Sequence, residues 1–239
     1  MDLDGKVAIV TGAGGGIGRA IALGLAGRRC RVVLVDVMEE QMLEVEGEIK
    51  RKGGQALSIP KDITKKENID HIITTTLDRF GTVDILINNA GILFTTPFLE
   101  VTEEEWDQVM DVNLKAPFLL SQAALKIMKD RRQGYIINIS SAATRQVPAH
   151  LTTYGTSKVG LIGMSQALYE TAKEYGVKVS IVCPGMVDTP MLRSFNPPVA
   201  PSKWMQPEDI VGCVLFLLKQ SDRVVVREIV PWAARHDQI

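Results

Sequence analysis

Seven short aliphatic runs, separated by longer amphipathic stretches, constrain the fold of this chain more than any other feature. They are "KVAIV" (6–10), "RVVLVD" (31–36), "QALSIP" (55–60), "DILINN" (84–89), "YIINIS" (135–140), "VKVSIV" (177–182) and "VVVREIV" (224–230). Runs this short and this rich in Val and Ile read as strands. Helical patterns fill the intervals at about 16–28, 39–52, 65–80, 103–131, 153–175 and 207–219. Strand and helix in alternation imply a parallel sheet with helices on both faces. The expected fold is α/β, a single domain over 1–239 with a doubly wound parallel sheet of about seven strands. Hydrophobic residues make up 46% of the chain and aromatics only 5%, which suits a core of buried aliphatic strands.

Composition narrows the function classes. A formal net charge of -1 offers no attraction for nucleic acid or an anionic membrane. No apolar stretch reaches the 18 residues of an ordinary membrane-crossing helix. Cys30, Cys183 and Cys213 lack CxxC spacing and read as buried thiols, so neither a disulfide framework nor a metal site is expected. "MDLDGKVAIVTG" lacks the basic flank and long apolar run of a secretory signal. These features point to a small-molecule ligand and a cytoplasmic location.

Loops leaving strand C-termini line the ligand crevice of an open α/β sheet. The densest such punctuation is "PGMVDTPMLRSFNPPVAPSKWMQP", with six prolines, and the candidate substrate lid covers about 186–207. "TGAGGGIG" (11–18) follows the first strand and opens the first helix. Glycines there let backbone N–H groups and a helix N-terminus approach a pyrophosphate, and the missing GK[ST] excludes a P-loop. Asp36 ends the second strand, where a carboxylate can accept hydrogen bonds from both hydroxyls of an adenosine ribose. A 2′-phosphate would meet that anion, and neither the glycine turn nor Val37 and Met38 supplies a compensating cation. The residues favour NAD over NADP.

The spacing Thr-Gly-x-x-x-Gly-x-Gly resembles the short-chain dehydrogenase/reductase family in its classical branch. The resemblance extends in order through Asp62, "NNAG" (88–91), Asn113, Ser141, Tyr154 with Lys158, and "PGMVDT" (184–189). It implies a Rossmann-like fold whose cofactor residues are Gly12, Gly14, Gly16, Ile17, Gly18, Asp36, Asp62, Ile63, Asn89, Ala90, Gly91, Tyr154, Lys158, Pro184, Gly185, Val187 and Thr189. Within that set, Asp62 would hold the adenine amino group and Ile63 would offer its amide. Ala90 and Gly91 would permit close approach, while Val187 and Thr189 would hold the carboxamide. Asn88 would brace the central strands.

Tyr154 and Lys158 stand four residues apart on a predicted helix, so both project from one face. A phenol titrates near 10, too high for an efficient base near neutrality, and an adjacent ammonium together with an oxidised nicotinamide would lower it. Ser141, at a strand tip thirteen residues earlier, would orient the substrate oxygen, leaving Ser140 structural. The resemblance implies reversible hydride transfer between a secondary alcohol and its ketone, with Asn113, Ser141, Tyr154 and Lys158 catalytic. Asn113 would hold a water linking Lys158 to solvent. Pro117, four residues on, has no N–H for the carbonyl of Asn113, which predicts a break in the helix there.

Two alternatives accompany this reading: a 3-oxoacyl-carrier-protein reductase and a non-catalytic NAD-binding sensor or scaffold. Arg132 matches a carrier-docking arginine of the reductases, but Tyr175 stands where they carry a second one. The lid cation Arg193 is a candidate partner for a substrate carboxylate or phosphate. His150 is read as a lid or substrate contact. "LKAPFLLSQAALKIM" (114–128) and "VGLIGMSQALYETA" (159–172) are apolar over more than one stripe, predicting a homodimer or homotetramer.

Overall fold

The computed structural model describes residues 2–195 and 199–234. All seven strands lie in one parallel sheet: β1 Val7–Thr11, β2 Arg31–Asp36, β3 Gln55–Pro60, β4 Ile85–Asn88, β5 Gly134–Ile139, β6 Val177–Val182 and β7 Glu228–Ile229, in spatial order 3-2-1-4-5-6-7. The order reverses between β1 and β4, and such a switch point opens a crevice at the strand C-termini.

Period-two side chains explain why these runs carry no alternation of polarity. Ala8 and Val10 of β1 enter one apolar layer, with Ile21, Leu25 and Val214, while Val7 and Ile9 enter the other, with Ile69, Ile72 and Leu120. The first layer is covered by α1 Gly16–Ala26, α2 Glu39–Arg51 and α8 Pro207–Lys219, and the second by α3 Lys66–Phe80 and α5 Ala116–Arg131. Both faces of each central strand are therefore dry.

The predicted helix over 103–131 is two helices. α4 Glu103–Met110 begins at Thr102, whose hydroxyl accepts from the Glu105 N–H at 3.1 Å. A π-helical turn, Asp111–Lys115, then joins it to α5, with the Ala116 N–H bonded to the Asp111 carbonyl. Pro117 cannot close the i→i−4 bond to Asn113, and the wider turn sits where that bond is missing. α6 Thr152–Ala172 carries Tyr154 and Lys158.

Two expectations need correction. The last strand spans two residues instead of seven, because Val224 is held in a turn by the Ser221 carbonyl and, among the described residues, β7 pairs with β6 alone. The lid is also more regular than its prolines suggested: α7 Pro190–Phe195 lies inside it, with the Thr189 hydroxyl accepting from the Leu192 N–H at 3.2 Å. Residues 196–198 of the expected lid lie outside the described residues.

Candidate active site

The glycine turn rises from β1 into α1 with Gly12 at φ +65 and Gly16 at φ +50, conformations that favour glycine. Close approach adds a second constraint. A Cβ on Gly12 would stand 2.8 Å from Asn89 Nδ2, and one on Gly18 would stand 2.0 Å from the Gly12 carbonyl oxygen. Asn89 holds the turn by donating to the carbonyls of Thr11 (2.9 Å) and Gly12 (3.3 Å). Thr11 Oγ1 accepts from the N–H groups of Asn89 and Ala90. The first turn of α1 has no acidic residue, and Gly15 caps it with no side chain. An open helix N-terminus in a glycine cradle fits a pyrophosphate.

Asp36 stands beside this turn. Its Oδ2 accepts from the Gly14 N–H at 2.9 Å and its Oδ1 from the Met38 N–H at 3.1 Å. Asp62 forms its own turn by accepting from the Thr64 N–H and hydroxyl. Asn88 ties β4 to its neighbours, donating to Asn138 Oδ1 (2.8 Å) and Ser121 Oγ (3.0 Å).

A cleft of about 620 Å³ runs from Asp36 and Asp62 past the glycine turn to Tyr154 and Lys158. Gly12, Gly14, Gly16, Ile17, Ile63, Asn89, Ala90, Gly91 and Thr189 also line it. Gly18, Pro184, Gly185 and Val187 do not. Gly18 instead packs α1 against the turn. Val187 pairs with Met205, Pro184 accepts from the Ala142 N–H, and Gly185 donates to the Pro231 carbonyl beneath Trp232.

At the far end, the Lys158 ammonium donates to the Ile139 carbonyl at 3.0 Å and lies 5.7 Å from the centre of the Tyr154 ring. Ser141 accepts from the Ala143 N–H at 3.1 Å, and its hydroxyl lies near enough to the Tyr154 phenol to favour the phenolate. Ser140 donates to the Lys158 carbonyl and belongs to the frame. Asn113 is fully buried: its amide donates to the Ile92 carbonyl (2.9 Å) and Ser157 Oγ (3.0 Å), and its Oδ1 accepts from the Ile92 N–H (2.8 Å). A Cβ on Gly91 would stand 3.2 Å from Asn113 Oδ1 and 3.4 Å from Lys158 Nζ. Asn113 and the ammonium thus meet over Gly91.

A family model described as short chain dehydrogenase matches residues 6–200. The chain belongs to that family. An uncharacterized oxidoreductase of Staphylococcus aureus (strain USA300) is 37% identical to this short-chain dehydrogenase over 227 residues, 95% of this chain and 96% of the relative. A 3-oxoacyl-acyl-carrier-protein reductase of Synechocystis sp. (strain ATCC 27184 / PCC 6803 / Kazusa) is 35% identical over 221 residues, 90% of each chain. Among solved structures, a metagenomic short-chain oxidoreductase in complex with NADP aligns with TM-score 0.87 at 35% identity, covering 99% of this chain and 100% of the other. The chain is an oxidoreductase that acts on CH–OH groups with NAD(P).

Without cofactor, both members of the predicted acid/base pair are disfavoured in their charged forms. Burial pushes the Tyr154 phenol above its usual value, and the nearby Ser141 hydroxyl only partly opposes it. Burial likewise pushes the Lys158 ammonium down to about 8. The lysine alone does not make the phenol acidic, because the same dry surroundings penalise both charges.

Sequence reasoning missed Lys61, which lines the cleft one residue past the end of β3, its N–H donating to the Asp36 carbonyl at 3.0 Å. Its position beside Asp62 at a strand C-terminus was a usable signal. The lid residues fare differently. Arg193 pairs with its neighbour Asp188 through Nε–Oδ1 (2.6 Å) and Nη2–Oδ2 (2.9 Å), so it is already neutralised. His150 stacks on Phe195 with ring centres 5.4 Å apart, the lid contact expected of it.

Proposed function

We propose that this chain is an NAD-dependent oxidoreductase that interconverts a secondary alcohol and its ketone through a Ser141–Tyr154–Lys158 acid/base site. The observation that carries the reading is one cleft with Asp36 at one end and Tyr154, beside Lys158, at the other. NAD, when bound, supplies the carbon that accepts or donates hydride and a positive ring in its oxidised form. In alcohol oxidation Tyr154 takes the hydroxyl proton while the carbinol carbon loses hydride, and the ketone forms without other co-reactants. Ser141 orients the oxygen beside the phenol. Lys158 holds positive charge against the phenolate, and Asn113 anchors the water through which the proton leaves. His150 and Phe195, with the other described lid residues of 186–194 and 199–207, cover the substrate.

Tyr154→Phe removes the exchangeable proton and little else. A panel of hydroxyacyl thioesters, cyclic alcohols and polyols, assayed with NAD+ and NADP+, identifies the substrate. On that substrate the variant loses about 10³-fold or more in kcat while its calorimetric NAD+ affinity stays within about twofold. Bound NAD+ with no turnover of any alcohol would favour the sensor reading.

A second reading of the cofactor rests on Lys61, a half-buried cation for which no ion pair or hydrogen bond of the side chain is found among the described residues. It supplies the charge that the glycine turn, Val37 and Met38 lack, and the 35%-identical neighbour was solved with NADP. Kinship with the Synechocystis protein supports an acyl-carrier substrate, and exposed Arg132, donating to the Glu174 carbonyl, remains its docking candidate. A cytoplasmic location is proposed on the sequence; among the described residues no helix is long and apolar enough to cross a membrane. Phe118 of α5 and Val159 of α6 are exposed by 48% and 45%, which supports assembly into a homodimer or homotetramer. Sedimentation at micromolar concentration should show no monomer peak; a monomer alone rejects that assembly.

A further inference from the structure

The loop that follows β4, residues 92–97, is stitched to α6 twice. Asn113 makes the first stitch, bonding both the N–H and the carbonyl of Ile92 and donating to Ser157. Glu105 makes the second: its Oε2 accepts from Thr96 Oγ1 at 2.5 Å, and its Oε1 accepts from Thr153 Oγ1 over a longer 3.4 Å. The two stitches repeat at the same interval, since Ile92 and Thr96 are four residues apart, as are Thr153 and Ser157. Each contact on α6 immediately precedes a residue of the acid/base pair, Thr153 before Tyr154 and Ser157 before Lys158.

Burial gives the second stitch its force. Thr153 is 1% exposed, so a lost acceptor leaves its hydroxyl unsatisfied in a dry place. Glu105 is half-buried, and its own N–H is fixed by the Thr102 cap, so the carboxylate stands on a pinned first turn of α4. Tyr154 is the third residue of α6, near an end where a helix frays most readily, and the helix is preceded only by a short 3-10 turn, Ala149–Leu151.

We propose that Glu105 is a positioning residue: its carboxylate clips the 92–97 loop to the first turn of α6 and so fixes the Tyr154 phenol beside Lys158 at the end of the cleft. The proposal rests on Tyr154 being the acid/base. The clip itself is a mechanical coupling between two segments, and it holds in the protein with or without cofactor.

Hydrogen exchange of the full chain reads the clip without a substrate. In Glu105→Ala, amides in 92–97 and 151–155 should exchange about fivefold faster together, the change expected from losing one ordinary hydrogen bond, while 156–160, held by Asn113, stays near wild type. Glu105→Gln should restore wild-type exchange, because a threonine hydroxyl can donate to the amide oxygen or accept from its NH₂. Thr153→Val should loosen the same two segments. In turnover, Glu105→Ala should lower kcat about tenfold with NAD+ affinity unchanged, and Glu105→Gln should recover it. Loosening of 92–97 alone, or a Gln variant as loose as the Ala variant, overturns the clip. Should Tyr154→Phe remain active, the acid/base reading fails while the exchange result still stands or falls by itself.

Discussion

At the Asp36 end of the cleft the groups that shape the turn are bonded to protein or forced by close contact, whereas at the other end Tyr154 and Lys158 stand in surroundings that oppose their charge. Asn89 and Thr11 tie the glycine turn to β1 and β4, and Asp36 accepts from two backbone N–H groups. Lys158, 4% exposed, has one carbonyl as its hydrogen-bond partner and an ammonium pushed down to about 8. One end is built to bind with geometry that exists before the ligand arrives. The other keeps a cost in the empty protein that a bound partner relieves, as sites tuned for acid/base work do.

Lys158→Met should break this contrast most visibly. Turnover should fall about 100-fold or more, since the residue that supports the phenolate is gone, yet the empty protein should become more stable. A fall from 10.5 to about 8 means that the unfolded chain holds the proton more tightly between those values. The penalty is full below about pH 8 and fades as pH rises to 10.5. At ~1.4 kcal/mol per tenfold it amounts to about 3 kcal/mol, from which the stranded Ile139 carbonyl takes back about 1 kcal/mol. Thermal unfolding at pH 7 should therefore shift upward by roughly 4–8 °C, with the gain shrinking toward pH 10.5. An unchanged or lower midpoint at pH 7 would show that Lys158 is not under strain.

The two ends were not equally legible in the sequence. At the Asp36 end the requirements are local: a positive φ and a backbone contact demand glycine, and a strand end eighteen residues later demands a carboxylate. Tyr154 and Lys158 were legible for the same reason, as an i, i+4 pair on one helix. The seven strands and most helices follow from aliphatic runs whose neighbours are buried on both faces. The run 224–230 misleads because β-branched propensity says nothing about how many neighbours an edge strand has, and only Glu228–Ile229 pair with β6. The lid helix had a local signal, Thr189 before Pro190, that the surrounding prolines obscured. Lys61 had only its place beside Asp62 at a strand C-terminus, and Glu105 had no comparable signal, because Thr96 and Thr153 are brought to it only by the packing of α4 on α6.

The Asp36 end is sharpened by charge alone. Asp36→Ala removes the acceptor for ribose hydroxyls and the anion that repels a 2′-phosphate, so the preference for NAD+ over NADP+ should narrow about tenfold by calorimetry. Equal affinities in the unsubstituted protein would reject the preference outright.

Lys61→Ala should give the smallest change, and its sign is the informative part. Both cofactors would share the glycine turn, so losing a cation at the end of β3 matters only where an additional phosphate stands near it. A partly exposed charge pair contributes about 0.2–1 kcal/mol, so NADP+ affinity should fall about threefold while NAD+ affinity holds. Because Asp36 and Lys61 would act on the same phosphate with opposite signs, the double variant should bind NADP+ more weakly than Asp36→Ala alone. Salt gives an independent check: raising ionic strength from 0.1 M to 1 M shortens the screening length from about 10 Å to 3 Å, and the Lys61 effect should shrink with it. Equal weakening of both cofactors, insensitive to salt, would mean that Lys61 supports the wall of the cleft and does not read the phosphate.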